Sequence, residues 1–565
     1  MSTREAAIPP TGARNRPWHW PRSRSYSLLF IFTVLSLLPF SSKPFNIDDP
    51  LFLWSAHQIV KHPFDPYAFQ VNWYRTYLPM WRETKNPPFG CYYVAAVAQL
   101  AGWSELALHL AFLVPALAAI LGTYRLALRF TRFPFLAAIA TLLTPGFLAC
   151  SSSIMCDVLM LAFWIWAVIF WLEGFDSQRP RYLLASAVLI AFAVMTKYFA
   201  VALIPLLAVY SHQRTKKWRP WIWYLLGPVF VLAGFELWSK LHYGHGLVSS
   251  ASSFSRMIRR HRHSPLLAQL LVGLSFLGGC TVPVLAWFFL PWSWRRILYV
   301  TLFSALGALA LCSHWLTLDA NSPVPDFSQH YAAIAIQVLL CILGGITLLI
   351  LPFADIGKTW DAGRVMLALW VVGTFIFAAL LNWITNARSI LPLIPAVAIL
   401  LGCRIERVAQ SPGKLFWARL VFGLGFAAVI TFWVCAADAD LASSEKKAVD
   451  IVHRKTGDQS TVWFAGHSGF QYYMENEGAK PLDFDALPRF RSGDFVVIPD
   501  TSRNFFGVRK ELIASEETIE FPTHVGLSTF LVEQGADFYS GGGPLPFVIG
   551  PAPPRKYELL RLVTP

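Results

Sequence analysis

The sequence predicts an α-helical polytopic membrane protein with about thirteen crossings and a small α/β domain at its C-terminal end, and three observations predict it. Hydrophobic residues fill 55% of the 565 positions and charged residues only 14%, too little polar surface for a water-soluble chain of this length. Apolar runs close to the roughly 20 residues that a helix needs to cross hydrocarbon recur from position 27 to position 435. These runs are continuous rather than alternating, so helices and not a closed barrel span the membrane. After Ala436 the composition changes to that of a soluble domain.

Taken in order, positions 1–23 read as a disordered cytoplasmic tail, and Arg4, Arg14, Arg16, Arg22 and Arg24 precede the first apolar run. That run lacks a small-residue cleavage site, which marks a retained helix. The transmembrane unit, 24–437, carries spans at 25–42, 104–126, 131–149, 155–173, 182–196, 198–212, 220–239, 265–290, 295–313, 330–352, 364–381, 387–402 and 415–436. With the N-terminus inside, the basic residues of the loops at Arg129/Arg132, Arg179/Arg181, Arg214/Lys216, Arg295/Arg296, Lys358/Arg364 and Arg404/Arg407 also fall inside. The formal charge of +14 is therefore mostly topogenic, with no call for nucleic acid. All eight cysteines lie in or beside apolar segments without ligand-like spacing, which predicts neither a disulfide framework nor a zinc site.

Two segments on the outer side depart from the ordinary pattern. The loop 43–103 is long and aromatic, and its apolar turns at 51–60 and 89–100 are too short to span, as expected of helices lying along the interface. The segment 240–264 places Lys240, Arg256, Arg259, Arg260, His261 and Arg262 where positive charge is normally sparse, which calls for an anionic partner or a functional reason. Beyond the last crossing, an odd count puts 443–565 outside. There 443–456 reads as a helix ending at Gly457, with strands at 461–465 and 494–499 and a helix near 469–475 between them.

Ionisable groups at membrane depth are expensive and so are site candidates. Asp48 and Asp49 precede Pro50, an arrangement that starts a helix. One helix has one cap, however, and if Asp49 caps, Asp48 is left as a base or an acceptor-holding carboxylate. Asp157 sits one turn inside the outer end of its helix, where the dipole alone would favour it. Lys197, in MTKYFAVAL, and Arg388, in NARSILPLIPA, stand at outer helix ends, placed either to snorkel or to hold a phosphate. Lys85 and Asn86 lead into a turn before two prolines and are candidate lining residues. By this topology the acids and the cations, including Arg256 and Arg259, converge on one face. Such a constellation suits transfer from a phosphate-linked donor, the carboxylate taking a proton and the cations stabilising the departing phosphate. In the tail, Gly466-His467-Ser468-Gly469 lacks the spacing of a nucleophile elbow.

The stretches DDPLFLWSAHQI, NPPFGCYY, MCDVLMLAFW, MTKYFAVALIP and NARSILPLIPAVAILLG, in this order, resemble the protein O-mannosyltransferase and lipid A aminoarabinose transferase superfamily of C-type membrane glycosyltransferases, in particular its bacterial members. The resemblance implies a catalytic carboxylate at Asp48, a second acid at Asp49, a further acid at Asp157, and donor-phosphate contacts from Lys197 and Arg388. It also implies a polyprenyl-phosphate sugar as donor, a lipid, glycan or protein as acceptor, no cofactor, and a place in a bacterial inner membrane with the C-terminal domain periplasmic. Nothing in the sequence indicates a divalent metal. Two positions depart from the family pattern: Asn86 stands where His or Lys usually precedes the prolines, and Tyr198 where glycine is usual. A lipid-linked-sugar flippase and a polysaccharide ligase or polymerase are the competing readings. A flippase would place charges near the bilayer midplane and show a repeated half, and this chain shows neither.

Overall fold

A computed structural model describes residues 22–216, 221–261, 264–281, 283–313, 330–354, 361–409, 413–457, 460–486, 488–500, 502 and 509–563. The N-terminal tail to position 21, Arg262 of the outer basic cluster and the loop charge Lys358 lie outside the described residues. Among the described residues nine helices are long and apolar enough to cross a membrane, or eleven if each of two bent pairs forms one span. The chain is a multi-pass helical membrane protein. Proline sets one of the bends: Pro134–Leu142 meets Pro145–Ser151 at 64°, with Thr144 capping the second helix through the Phe147 N–H. The two remaining expected spans fall short of the required length. Pro180–Thr196 has 17 residues and Leu203–Thr215 has 13, because the helix breaks at Lys197 and passes through a 3-10 turn at Tyr198–Ala202.

The loop after the first span folds into the helix Asp49–Lys61, a hairpin pairing Gln70–Asn72 with Tyr77–Pro79, and the helix Phe89–Ala101. These helices have 13 residues each and occupy the two apolar turns expected there. The outer basic segment is an amphipathic helix, Leu247–His261, which follows the span Ile222–Tyr243 after Gly244 at φ +75°.

The largest departure from expectation is the last crossing. Instead of a span followed by a separate helix, Lys414–Thr456 is one helix of 43 residues ending at Gly457, φ +64°. At 1.5 Å per residue it is about 65 Å long, roughly twice the hydrocarbon thickness. Sequence hydropathy changes along it at Ala436, but no helix breaker stands there, so the backbone continues and carries the C-terminal domain on a rigid stem.

That domain is built on a five-stranded mixed sheet in the spatial order 480–481, 462–464, 495–499, 555–562, 513–521. The first three strands run parallel and the last two add antiparallel. Its helix Ser468–Asn476 packs on both the long stem and the helix Asp49–Lys61. Glycine allows that approach: a Cβ on Gly469 would lie 2.1 Å from the Phe45 carbonyl oxygen. The segment 529–549 leaves the sheet and returns to the bundle, where Gln337 exchanges two hydrogen bonds with the Ile549 backbone at 2.7 and 2.9 Å.

Candidate active site

Asp48 and Asp49 diverge because of the turn before them. Ile47 adopts φ +51°, a conformation that a β-branched side chain avoids. With the backbone held this way, Asp49 is fully buried. Its Oδ2 accepts from the Asn46 N–H at 3.0 Å and its Oδ1 from the Ile154 N–H at 3.1 Å, tying the loop to the start of the Cys156–Ser177 helix. Burial pushes the Asp49 carboxyl up to about 7, against the pull of Lys43 and those two N–H groups. Asp48 occupies the cap position of the Asp49–Lys61 helix but makes no capping bond. Its carboxylate instead pairs with the Arg388 guanidinium and keeps 30% of its side chain exposed. The two acids thus divide the work differently from simple capping: Asp49 ties backbone together while Asp48 faces a cation.

Arg388 is positioned by an Asn386/Ser389 capping box that opens the helix Ala387–Ile390. Its Nη1 donates to Asp48 and to Met155 Sδ, and its Nη2 to the Tyr539 carbonyl at 3.2 Å. The Nε–H is buried and has no hydrogen-bond partner among the described residues. A buried, unmet guanidinium donor beside a part-exposed carboxylate is an arrangement suited to an anion.

Asp157 lies in the first turn of its helix, almost wholly buried, and pairs with Lys197. Lys197 can reach it because the chain is extended there, φ −153° and ψ 129°, between the two helices it separates. Met155, two residues before Asp157, touches Arg388, so the two ion pairs are neighbours along a single stretch of chain. The structure therefore gathers Asp48, Asp49, Asp157, Lys197 and Arg388. Arg256 and Arg259 are not joined to this cluster by an ion pair. They bond within their own helix, Arg256 to the Ser253 hydroxyl at 3.2 Å and Arg259 to the Ser255 carbonyl at 3.4 Å. The same helix closes over the Lys85 turn, since the Lys85 ammonium stands 4.8 Å above the Phe254 ring and Phe254 meets Trp383 edge-on. Burial lowers the Lys85 ammonium's pKa, offset in part by Glu83. Asn86 contributes backbone here: its carbonyl accepts from Tyr67 and Thr84, each at 3.1 Å.

Behind the cluster stands a second set of residues that sequence reading missed. Lys43 and Asp438 form a buried ion pair at 2.5 Å with side-chain exposures of 1% and 0%. Tyr539 donates its hydroxyl to the same Asp438 carboxylate at 2.9 Å, while its carbonyl receives Arg388 and the Asn386 amide. The turn comes close because residue 541 is glycine at φ +67°, where a Cβ would lie 2.6 Å from the Thr385 carbonyl oxygen. The C-terminal domain thus reaches the Asp48 partner directly. Asp438, a carboxylate within the last helix, was a visible signal in AADADL; Tyr539 offered none. Among the described residues no group of three or more His, Cys, Asp or Glu side chains gathers as a metal site.

Residues 85–238 match the sequence model of the family described as dolichyl-phosphate-mannose-protein mannosyltransferase. No curated protein sequence matches the chain. Among solved structures, ArnT from Cupriavidus metallidurans in the apo state aligns at 14% identity and a TM-score of 0.48, over 84% of this chain and 93% of its own. The archaeal oligosaccharyltransferase AglB from Archaeoglobus fulgidus, in complex with an inhibitory peptide and a dolichol-phosphate, aligns at 12% identity and 0.45, over 85% and 70%. The S. cerevisiae protein O-mannosyltransferase Pmt1-Pmt2 complex bound to the sugar donor aligns at 15% and 0.31, over 41% and 35%.

Proposed function

We propose, from the premise that this chain is a membrane glycosyltransferase akin to the dolichyl-phosphate-mannose-protein mannosyltransferases that its residues 85–238 match, that it moves a sugar from a polyprenyl-phosphate carrier to a lipid, glycan or protein acceptor. The reaction takes place at the periplasmic face of a bacterial inner membrane, with the N-terminus cytoplasmic. The distribution of loop arginines supports that orientation.

The observation that carries the reading is the Asp48–Arg388 pair with its unmet Nε–H. Arg388 and Lys197 receive the donor phosphate, each exchanging part of its carboxylate partnership for phosphate oxygens. Guanidinium suits this exchange, since it offers a planar fork to phosphate as readily as to carboxylate. Displaced from Arg388, Asp48 is free to accept the proton of the attacking hydroxyl. The acceptor oxygen bonds to the anomeric carbon, the bond from that carbon to the phosphate oxygen breaks, and its electron pair stays on the polyprenyl phosphate. Attack opposite the departing phosphate is a single displacement that inverts the anomeric centre. Cations aimed at the developing phosphate charge lower the barrier more than they favour the bound donor. Asp49 and Asp157 hold Ile154 and Lys197 in place for this step.

Asp48→Asn tests the assignment. In proteoliposomes supplied with a polyprenyl-phosphate-linked radiolabelled sugar and a periplasmic glycolipid and glycoprotein extract, transfer should fall by roughly 10²- to 10⁴-fold, the usual contribution of a general base. Undiminished transfer by the Asn variant would remove Asp48 from the reaction, and movement of label across the bilayer without any transfer would favour a flippase.

A further inference from the structure

Beside the ion-pair cluster lies a cavity of about 250 Å³ that the reaction above does not use. Its walls come from two parts of the chain far apart in sequence: the tip of the loop hairpin, with Trp73, Tyr74 and Arg75, and the C-terminal domain, with Phe464, His467 and Phe484. The Trp73, Tyr74 and His467 rings crowd together, with His467 centred 5.5 Å from Trp73 and 6.2 Å from Tyr74. Two of the five non-glycine residues at positive φ among the described residues stand on or next to this lining. Arg75 stands at φ +102° and Ser468 at φ +67°, neither a glycine, with Gly466 at φ +133° between the walls. For a residue with a side chain such conformations are costly, and they cluster at functional sites.

The hairpin tip is bound rather than merely close. Asn72 donates its amide to the Leu482 carbonyl at 3.0 Å, Gln471 donates to the Asn72 carbonyl at 2.8 Å, and the Phe484 N–H reaches the Arg75 carbonyl at 2.8 Å. Two features connect the cavity to the cluster. Ser540, on its lining, follows Tyr539, whose carbonyl holds Arg388. Tyr74, also on its lining, has its hydroxyl pushed up to about 12, mostly by burial and next by the Asp48 carboxylate, with Arg388 pulling the other way.

We infer that this cavity is the acceptor subsite and that it takes a sugar ring, so that the enzyme extends a saccharide-bearing acceptor. This rests on the glycosyltransferase reading above. The chemistry favours a sugar over a peptide for two reasons. The accessible rings of Tyr74, His467 and Phe484, with the Asn72 amide, the Arg75 guanidinium and the Ser540 hydroxyl between them, match a ring that is apolar on its C–H face and polar at its edge. A peptide would be captured by adding a strand to an open edge. At the hairpin tip the Asn72 and Arg75 carbonyls that such a strand would use already accept from the Gln471 amide and the Phe484 N–H.

The full-length protein in nanodiscs supplies the test, by saturation-transfer NMR with three probes: methyl β-glucopyranoside, methyl α-mannopyranoside and an N-acetylated serine tripeptide amide. Saturation should pass from the protein's aromatic protons to the C–H protons of at least one glycoside and not to the tripeptide. His467→Ala and Tyr74→Ala should each reduce it by about fivefold, the effect of losing one aromatic contact. Arg388→Ala should leave it intact while abolishing the thermal shift produced by undecaprenyl phosphate. Glycoside saturation that is absent from the wild type, unchanged in both ring variants, or replaced by tripeptide saturation overturns the inference. Loss of the undecaprenyl phosphate shift in the wild type would instead overturn the donor reading, leaving the glycoside result to be judged separately.

Discussion

The helix Cys156–Ser177 carries acids at both ends, and their surroundings differ sharply. At one end Asp157 is almost wholly buried against Lys197, next to Asp48 on Arg388. At the other, some 24–29 Å along the axis, Glu173 and Asp176 meet Arg125, Arg129 and Arg214 with side chains from 19% to 50% exposed. Both ends pair acids with basic groups, but side-chain exposure runs from 2% to 30% at the first end and from 19% to 50% at the second. Ion pairs in water contribute about 0–1 kcal/mol each, whereas ordering charges away from water costs several kcal/mol before any attraction offsets it. A chain that gathers two ion pairs and an unmet guanidinium donor at one end bears that cost in stability, and a phosphate-bearing ligand supplies a reason for it.

The sharpest way to break this comparison is Arg388→Lys, which keeps the charge and removes the fork. Transfer should fall by about 10²- to 10³-fold, the effect of losing a preorganised donor to the developing charge. Donor binding measured by undecaprenyl phosphate protection should fall much less, because an ammonium still attracts phosphate. Equal losses in both would mean that Arg388 serves binding alone. Next in size is Asp438→Asn, which leaves Lys43 buried without its counter-charge. Breaking such a pair costs about 3–5 kcal/mol, so thermal unfolding of the detergent-solubilised protein should shift down by several degrees. The double variant Lys43→Met/Asp438→Leu should recover most of the loss. If it recovers stability but not transfer, the Tyr539 hydroxyl needs Asp438 to present its carbonyl to Arg388.

How much of this was legible in the sequence depends on what each residue had to be near. Hydropathy has no need of tertiary information, so both short loop helices and all but two of the spans were readable, the exceptions being the short helices on either side of Lys197. Asp48, Asp157, Lys197 and Arg388 stood out as candidates as well, since a charge inside apolar sequence announces itself, and the structure brings them together. What failed was continuity and partnership. Composition divides the 43-residue helix at Ala436, although helix geometry depends on breakers and none occurs between Ala436 and Gly457. Pairing across hundreds of positions, such as Lys43 with Asp438 or Arg388 with Tyr539, leaves no periodic trace. Ile47 shows the same limit locally: its side chain favours extended backbone, yet it stands at positive φ, with its N–H on the Asn46 side chain and the adjoining Asp49 bonded to the distant Ile154 N–H.

The smallest expected effect is the one that completes the comparison. Arg129→Ala removes the partner of Asp176, in a pair with side chains 27% and 47% exposed. Water takes the place of the lost contact, and Arg214 remains within 3.5 Å of the same carboxylate. Stability should change by less than about 1 kcal/mol, and what change there is should shrink further as salt is raised toward 1 M, where the screening length is only ~3 Å. Transfer activity should stay within about twofold of wild type, since this end lies away from the proposed donor site. A loss of activity comparable to that of Arg388→Lys would show that charge at either end of the helix matters alike, and burial would no longer distinguish the functional end from the solvated one.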